Sequence, residues 1–213
     1  MMRARPAIEG LYAITPDVAD TAELSRLVRL ALRGGARILQ YRNKTAAAGL
    51  RLQHAQALRD LTREFGTTFI VNDDAQLAAQ VDADGAHLGG EDGSVAAARA
   101  LLGNEKIVGV SCYNRAALAH EAVRQGADYV AFGAFFSSSV KPDAAQATVQ
   151  MLKAARSELN VPIVAIGGIT QRNGAALIAA GADALAVITA LWAAPDIEAS
   201  AQEFSTLFSR TKQ

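Results

Sequence analysis

From Thr67 to Gly93 the chain reads TTFIVNDDAQLAAQVDADGAHLGGEDG. Two short apolar runs, Thr68–Val71 and Ala86–Leu88, each end in a polar cluster, Asn72-Asp73-Asp74 and Glu91-Asp92. One short helical segment separates them. If both runs are strands of one parallel sheet, the crossover helix returns the chain to its starting edge and both clusters share a rim. Neighbouring strands lie ~4.8 Å apart, so side chains at their tips can converge on one ion. Two carboxylates converging there suit a hard cation, most simply Mg²⁺ with phosphate as a further ligand. The other reading is that Asp73 or Asp74 caps one helix and Asp92 caps the next.

The same alternation runs outward in both directions. Upstream, Gly10–Thr15 and Arg37–Tyr41 read as strands, and Ala22–Arg33 and Ala46–Phe65 as helices ending at Gly34-Gly35 and Gly66. Within the opening stretch Ala75–Val81 is a short helix, and Ser94–Leu102 follows with Ser94 placed to cap it. Downstream, Lys106–Cys112, Tyr129–Ala134, Pro162–Ile166 and Ala184–Ala190 read as strands. Arg115–Gln125, Ala144–Leu159, Gln171–Ala180 and Ile197–Ser209 read as helices. Gly35-Ala36-Arg37, Gly126-Ala127-Asp128 and Gly181-Ala182-Asp183 repeat between a helix and a strand. The glycine stops the helix, free to adopt positive φ, and the run after it reads as a fully buried parallel strand. Eight such units predict a single (β/α)₈ TIM barrel of class α/β, one catalytic domain spanning residues 1–213. A doubly wound open sheet is the alternative, but it needs a glycine-rich turn after the first strand to hold a nucleotide, and Thr15-Pro16-Asp17 is not one.

The composition fits an ordinary globular domain: 213 residues, 51% apolar, 20% charged, enough for one sizeable core and short for two. Lys+Arg and Asp+Glu both number 21, and this balance argues against a nucleic-acid or anionic-membrane partner. Residues 1–10 have two arginines with no apolar run behind them, which argues against a secretory signal. In Ala175–Ala194, AALIAAGADALAVITALWAA, Asp183 follows Gly181. An Asp at the centre of a membrane helix costs ~2.5–3.5 kcal/mol, so the segment reads as a helix end and a buried strand. Cys112 is the single cysteine; it excludes an internal disulfide and fits a cytoplasmic protein.

Barrel enzymes work at the carboxyl ends of their strands. The second strand ends Gln40-Tyr41-Arg42-Asn43-Lys44, and period-two alternation sends Gln40, Arg42 and Lys44 to one side. Arg holds phosphate oxygens bidentately and Lys adds a point charge, unless this is a solvated loop with two surface cations. His87, inside a buried strand, reads as hydrogen-bonded structure. The fifth strand ends Ser111-Cys112, with no base placed beside either, so Ser111 reads as a ligand-binding hydroxyl. Ser137-Ser138-Ser139-Val140-Lys141 after the sixth strand offers hydroxyls, amides and a cation for an oxyanion, or else is a flexible linker. Gly167-Gly168 and Ile188-Thr189 end the last two strands, the usual barrel phosphate site. No zinc spacing, nucleophile elbow or P-loop is present.

Taken in order, these strand-end motifs resemble the thiamine phosphate synthase family over nearly the whole chain. The resemblance rests on Gln40-Tyr41-Arg42-Asn43-Lys44, Asn72-Asp73-Asp74, Asp84-Gly85-Ala86-His87-Leu88-Gly89 with Glu91-Asp92, Gly109-Val110-Ser111, Ala127-Asp128-Tyr129-Val130 and Ala165-Ile166-Gly167-Gly168-Ile169. It implies joining of 4-amino-2-methyl-5-(diphosphomethyl)pyrimidine to thiazole phosphate, giving thiamine phosphate and pyrophosphate. The bond to pyrophosphate breaks first and the thiazole nitrogen attacks the pyrimidine cation, so no protein nucleophile is needed.

The resemblance also implies a division of roles. Asp73 and Asp92 would bind Mg²⁺. Gln40, Tyr41, Arg42, Asn43, Lys44, Asn72, Ser111 and Lys141 would hold the pyrimidine diphosphate, with Arg42, Lys44, Ser111 and Lys141 the catalytic set. Ser138, Ser139, Val140, Gly168, Ile188 and Thr189 would hold the thiazole phosphate. Several positions depart from the family pattern, mainly in Ser137-Ser138-Ser139-Val140-Lys141, where the family usually has Pro-Thr-x-Thr-Lys. Val140 lacks a hydroxyl the family usually has, a loss of ~1.5–3 kcal/mol unless replaced; Gly90 stands for Gln and Thr189 for Ser. A thiazole tautomerase on the same barrel, another phosphate-ester barrel enzyme and a non-catalytic thiamine-phosphate-binding barrel are the rivals. A homo-oligomer stays open.

Overall fold

The computed structural model describes residues 7–89, 94–136 and 146–210. Eight parallel strands close into a barrel in chain order. They are β1 (Gly10–Ile14), β2 (Ile38–Tyr41), β3 (Thr68–Asn72), β4 (Gly85–Leu88), β5 (Ile107–Tyr113), β6 (Tyr129–Phe132), β7 (Ile163–Ile166) and β8 (Ala184–Val187). The helices outside are α1 (Thr21–Arg33), α2 (Ala48–Phe65), α3 (Ala75–Gln80), α4 (Val95–Leu102), α5 (Ala116–Arg124), α6 (Val149–Glu158), α7 (Gly174–Ala179), α8 (Thr189–Trp192) and α9 (Ile197–Arg210). The expected TIM barrel is the observed fold.

Strand alternation makes two apolar layers. Tyr12, Ile14, Ile38, Ile70, Ile107, Tyr129, Val164 and Ala184 fill the barrel interior. Leu11, Leu39, Phe69, Val108, Val130 and Leu185 point outward against the helices. Both faces are buried, which is why these strands read as continuous apolar runs rather than alternating ones.

The aspartates that end two of the glycine-alanine repeats share a structural role with Asp84. Asp84, Asp128 and Asp183 stand just before β4, β6 and β8. Each carboxylate accepts a backbone N–H from the first or second residue of the preceding strand: Phe69 at 2.8 Å, Val108 at 2.7 Å and Ile163 at 2.7 Å. Each is also paired with an arginine of the helix leading into that strand, Arg59, Arg99 and Arg156 respectively. These three clamps close the amino-terminal end of the barrel, away from the rim that carries the polar tips.

Several boundaries differ from expectation. β8 stops at Val187 and Thr189–Trp192 forms a separate turn of helix, α8. β6 ends at Phe132. α6 starts at Val149, where the Thr148 hydroxyl accepts from Met151 N at 3.1 Å. α7 starts at Gly174, because the Asn173 side chain accepts from Thr170 N at 2.8 Å and shapes a turn there. The apolar segment Ala175–Ala194 is therefore helix, strand and helix. Among the described residues no helix is long and apolar enough to cross a membrane.

Candidate active site

The carboxyl rim gathers most of the side chains singled out above. On β2 the alternation holds for Gln40, which is 3% exposed and turned into the barrel, where its Nε2 donates to the Tyr12 hydroxyl at 2.8 Å. Arg42 lies one step beyond. Its backbone N–H donates to the Thr15 hydroxyl at 2.9 Å, and that hydroxyl donates to the Arg42 carbonyl at 3.1 Å, tying the tips of β1 and β2 together. Its guanidinium sits 3.9 Å from Asp17. Lys44 reaches across to β3, with its ammonium 3.1 Å from the Asp73 carboxylate.

Two residues of this group have other positions than expected. Tyr41 faces outward, away from the space shared by Gln40 and Arg42, and its hydroxyl lies 3.2 Å from His54 Nδ1 under α2. Alternation along the strand is the reason, so its side chain packs the barrel wall. Asn43 accepts the backbone N–H of Thr45 at 3.2 Å and of Ala46 at 3.0 Å, an Asx turn that shapes the loop after β2.

At the tip of β3, Asn72 is paired in register with His87 of β4. Asp73 follows with φ of +62°, a left-handed conformation that non-glycine residues adopt at a cost, least for Asp and Asn. Its N–H donates to the His87 carbonyl at 2.8 Å. Asp74, not Asp73, is the helix cap, accepting from Leu77 N at 2.8 Å and pairing with Arg51. That separation leaves the Asp73 carboxylate to the rim.

His87 is buried and hydrogen-bonded within the barrel, as expected. Its Nδ1 lies 2.9 Å from the Tyr129 hydroxyl and its Nε2 2.8 Å from Ser111 Oγ. Burial pushes the imidazole down to about 4, against the smaller opposing pull of the Asp73 carboxylate, so it is neutral near pH 7. Ser111 is thereby anchored on its inner side. Gly109, two residues earlier, leaves room for the Tyr129 ring: a Cβ there would lie 1.9 Å from Cζ. Tyr12 and Tyr129, which read in sequence as apolar strand residues, thus enter the polar interior through their hydroxyls.

On the far side of the rim Gly167 and Gly168 have φ of +102° and +61°. A Cβ on Gly167 would meet that of Ala134 at 2.4 Å, so glycine lets the loops after β6 and β7 touch. Phe135 N and Phe136 N donate to the carbonyls of Ile166 and Gly167, both at 3.1 Å. Ile188 precedes the first residue of α8, Thr189, where N–H groups have no intrahelical acceptor. Trp192 secures that turn by donating from Nε1 to the Ile14 carbonyl at 2.6 Å.

Asp92, with Gly90 and Glu91, lies outside the described residues. So do Ser138, Ser139, Val140 and Lys141. Asp73 supplies one hard oxygen donor on the rim, which suits Mg²⁺. Among the described residues no group of three or more His, Cys, Asp or Glu is arranged to hold a metal. An open concavity of about 600 Å³ lies instead at the amino-terminal end, lined by Arg99, Asn104, Asp128 and Pro162. It sits over a structural clamp, and no catalytic group faces it.

Residues 11–191 match the family model described as thiamine monophosphate synthase. A thiamine-phosphate synthase of Methylobacillus flagellatus is 58% identical over 204 residues, covering 96% of this chain and 97% of the relative. One from Nitrosomonas eutropha is 52% identical, covering 96% of each. The solved structure of thiamine phosphate pyrophosphorylase from Pyrococcus furiosus superposes with a TM-score of 0.86 at 33% identity, covering 96% of this chain and 97% of that one.

Proposed function

This chain belongs to the thiamine monophosphate synthase family, and from that premise we propose that it is a thiamine-phosphate synthase, a transferase joining a pyrimidine diphosphate to thiazole phosphate. The products are thiamine phosphate and pyrophosphate. The observation that carries the reading is the meeting of Lys44 and Asp73 at 3.1 Å on the rim that also carries Arg42, the half-buried Ser111 and the buried Gln40. Cations and hydroxyls on one rim, with no activated nucleophile among the described residues, suit departure of an anionic leaving group better than covalent catalysis.

In this reading Gln40 and Ser111 orient the pyrimidine diphosphate. Arg42 and Lys44, with Lys141, bind the diphosphate oxygens and stabilise the charge that grows as the carbon–oxygen bond breaks. Gly168, Ile188 and Thr189, with Ser138 to Val140, hold the thiazole phosphate through backbone N–H groups, so that the thiazole nitrogen lies against the pyrimidine carbon. Asp73 and Asp92 would hold Mg²⁺, which supplies further neutralisation of the leaving pyrophosphate.

The test gives purified protein both substrates with Mg²⁺, then withholds each in turn. Thiamine phosphate is expected only with both present. Conversion of the thiazole alone, without release of pyrophosphate, would assign an isomerase instead.

A further inference from the structure

Five side chains on five strands form one hydrogen-bonded chain through the barrel interior. Gln40 Nε2 lies 2.8 Å from the Tyr12 hydroxyl, Tyr12 2.8 Å from the Tyr129 hydroxyl, Tyr129 2.9 Å from His87 Nδ1, and His87 Nε2 2.8 Å from Ser111 Oγ. Tyr12, Gln40, His87 and Tyr129 are each at most 7% exposed. The two ends, Gln40 and Ser111, are the groups assigned above to the pyrimidine diphosphate. The three members between them have no role in that assignment.

We infer that Tyr12, Tyr129 and His87 are positioning residues that couple the two ends, so that Gln40 presents an acceptor only while Ser111 presents a donor. The coupling follows from counting protons, since each hydroxyl owns one and a neutral imidazole owns one. With Gln40 donating to Tyr12, Tyr12 must donate to Tyr129, and Tyr129 to a bare Nδ1 of His87. The imidazole proton is then on Nε2 and donates to Ser111, whose own hydrogen is left to point at the substrate. Gln40 correspondingly turns Oε1 to the substrate. The opposite direction is also self-consistent, with the amide reversed and the serine hydrogen pointing into the protein. Mixed arrangements leave two hydrogens facing each other, a contact with none, or a buried hydroxyl hydrogen without an acceptor, each of which is costly.

The consequence is a selectivity that neither end has alone. An aminopyrimidine donates to Gln40 Oε1 and in the same state meets a Ser111 hydroxyl able to donate to a diphosphate oxygen. A pyrimidine carrying an oxo group in place of the amine needs the amide reversed, and the chain then turns the Ser111 lone pairs against the anion. This rests on the synthase reading for the identity of the ligand, while the direction of the chain is a property of the free protein.

Two measurements separate these. In protein labelled with ¹⁵N-histidine and free of ligand, His87 is expected as the neutral Nε2–H tautomer, and Tyr129→Phe should shift its Nδ1 resonance. An Nδ1–H tautomer would overturn the direction assigned to the chain, and no response to Tyr129→Phe would overturn the chain itself, whatever the protein catalyses. Then kcat/KM is compared for the amino and oxo pyrimidine diphosphates in the wild type, Tyr12→Phe and Tyr129→Phe. The amino/oxo ratio is expected to fall about tenfold or more in each folded variant. Equal losses on both substrates would mean these tyrosines are only structural. Absence of thiamine phosphate from the wild type would refute the synthase reading, and the histidine spectrum would still decide the chain.

Discussion

The ammonium of Lys44, just beyond β2, lies 3.1 Å from the carboxylate of Asp73, just beyond β3. The lysine side chain is 56% exposed, and an ion pair this open to water contributes only ~0–1 kcal/mol to folding. Stability therefore gives little reason for the pair, whereas a diphosphate and its counter-cation do. Asp73→Asn tolerates the same left-handed backbone, and Lys44→Ala removes only a surface charge. Each should cut turnover by ~100-fold or more while moving the melting temperature by no more than about 4 °C. Steady-state kinetics beside calorimetry checks this; parallel losses of both would return the pair to a structural role.

Asp84 should behave in the opposite way. Arg59 donates to it twice, at 2.9 and 3.0 Å, and Phe69 N once, at 2.8 Å. Asp84→Ala leaves a largely buried guanidinium and a strand N–H without their acceptor, a loss on the order of 3 kcal/mol. Denaturant titration should register it, with turnover per folded molecule unchanged.

Gly109→Ala brings a Cβ to within 1.9 Å of Tyr129 Cζ. The ring must move, at ~1–3 kcal/mol for overpacking, and its hydroxyl is drawn off His87. The expected outcome is a folded protein with raised KM for the pyrimidine diphosphate and nearly normal KM for thiazole phosphate. Equal changes in both would show a diffuse effect on the barrel.

Cys112 is fully buried, and burial pushes its thiol up from 9 to about 12 despite the nearby charge of Arg115. At pH 8 the native protein should resist a thiol-directed reagent that labels the unfolded chain at once. The sign of the linkage follows. The folded state keeps the proton that the unfolded chain releases near 9, so this contribution is intact below pH 9 and declines as pH rises toward 12. Relative to the wild type, Cys112→Ala should lose stability less steeply over that range.

Most of the barrel was legible because the strands are buried apolar runs, several of them bounded by glycine or aspartate. Ser94 was readable as a cap, and its hydroxyl accepts from Ala97 N at 3.1 Å. The end of β8 was not, because Ala184–Leu191 is apolar but for Thr189 and holds both a strand and the first residues of α8, which no periodicity separates. At the rim, the inward turn of Gln40 could be read, and so could the hydrogen bonding of His87. The chain from Gln40 to Ser111 could not. It depends on the register of five strands, and only closure of the barrel brings Tyr12 and Tyr129, 117 residues apart in sequence, to 2.8 Å.

The most direct measurement follows phosphorus by NMR while the purified protein turns over pyrimidine diphosphate and thiazole phosphate with Mg²⁺. Thiamine phosphate and pyrophosphate are expected to appear in equal amounts, to stop when a chelator is added and to resume when Mg²⁺ is restored. Substrates left unchanged by folded protein, or product formation indifferent to the chelator, would contradict the assignment of this rim as a metal-assisted synthase site.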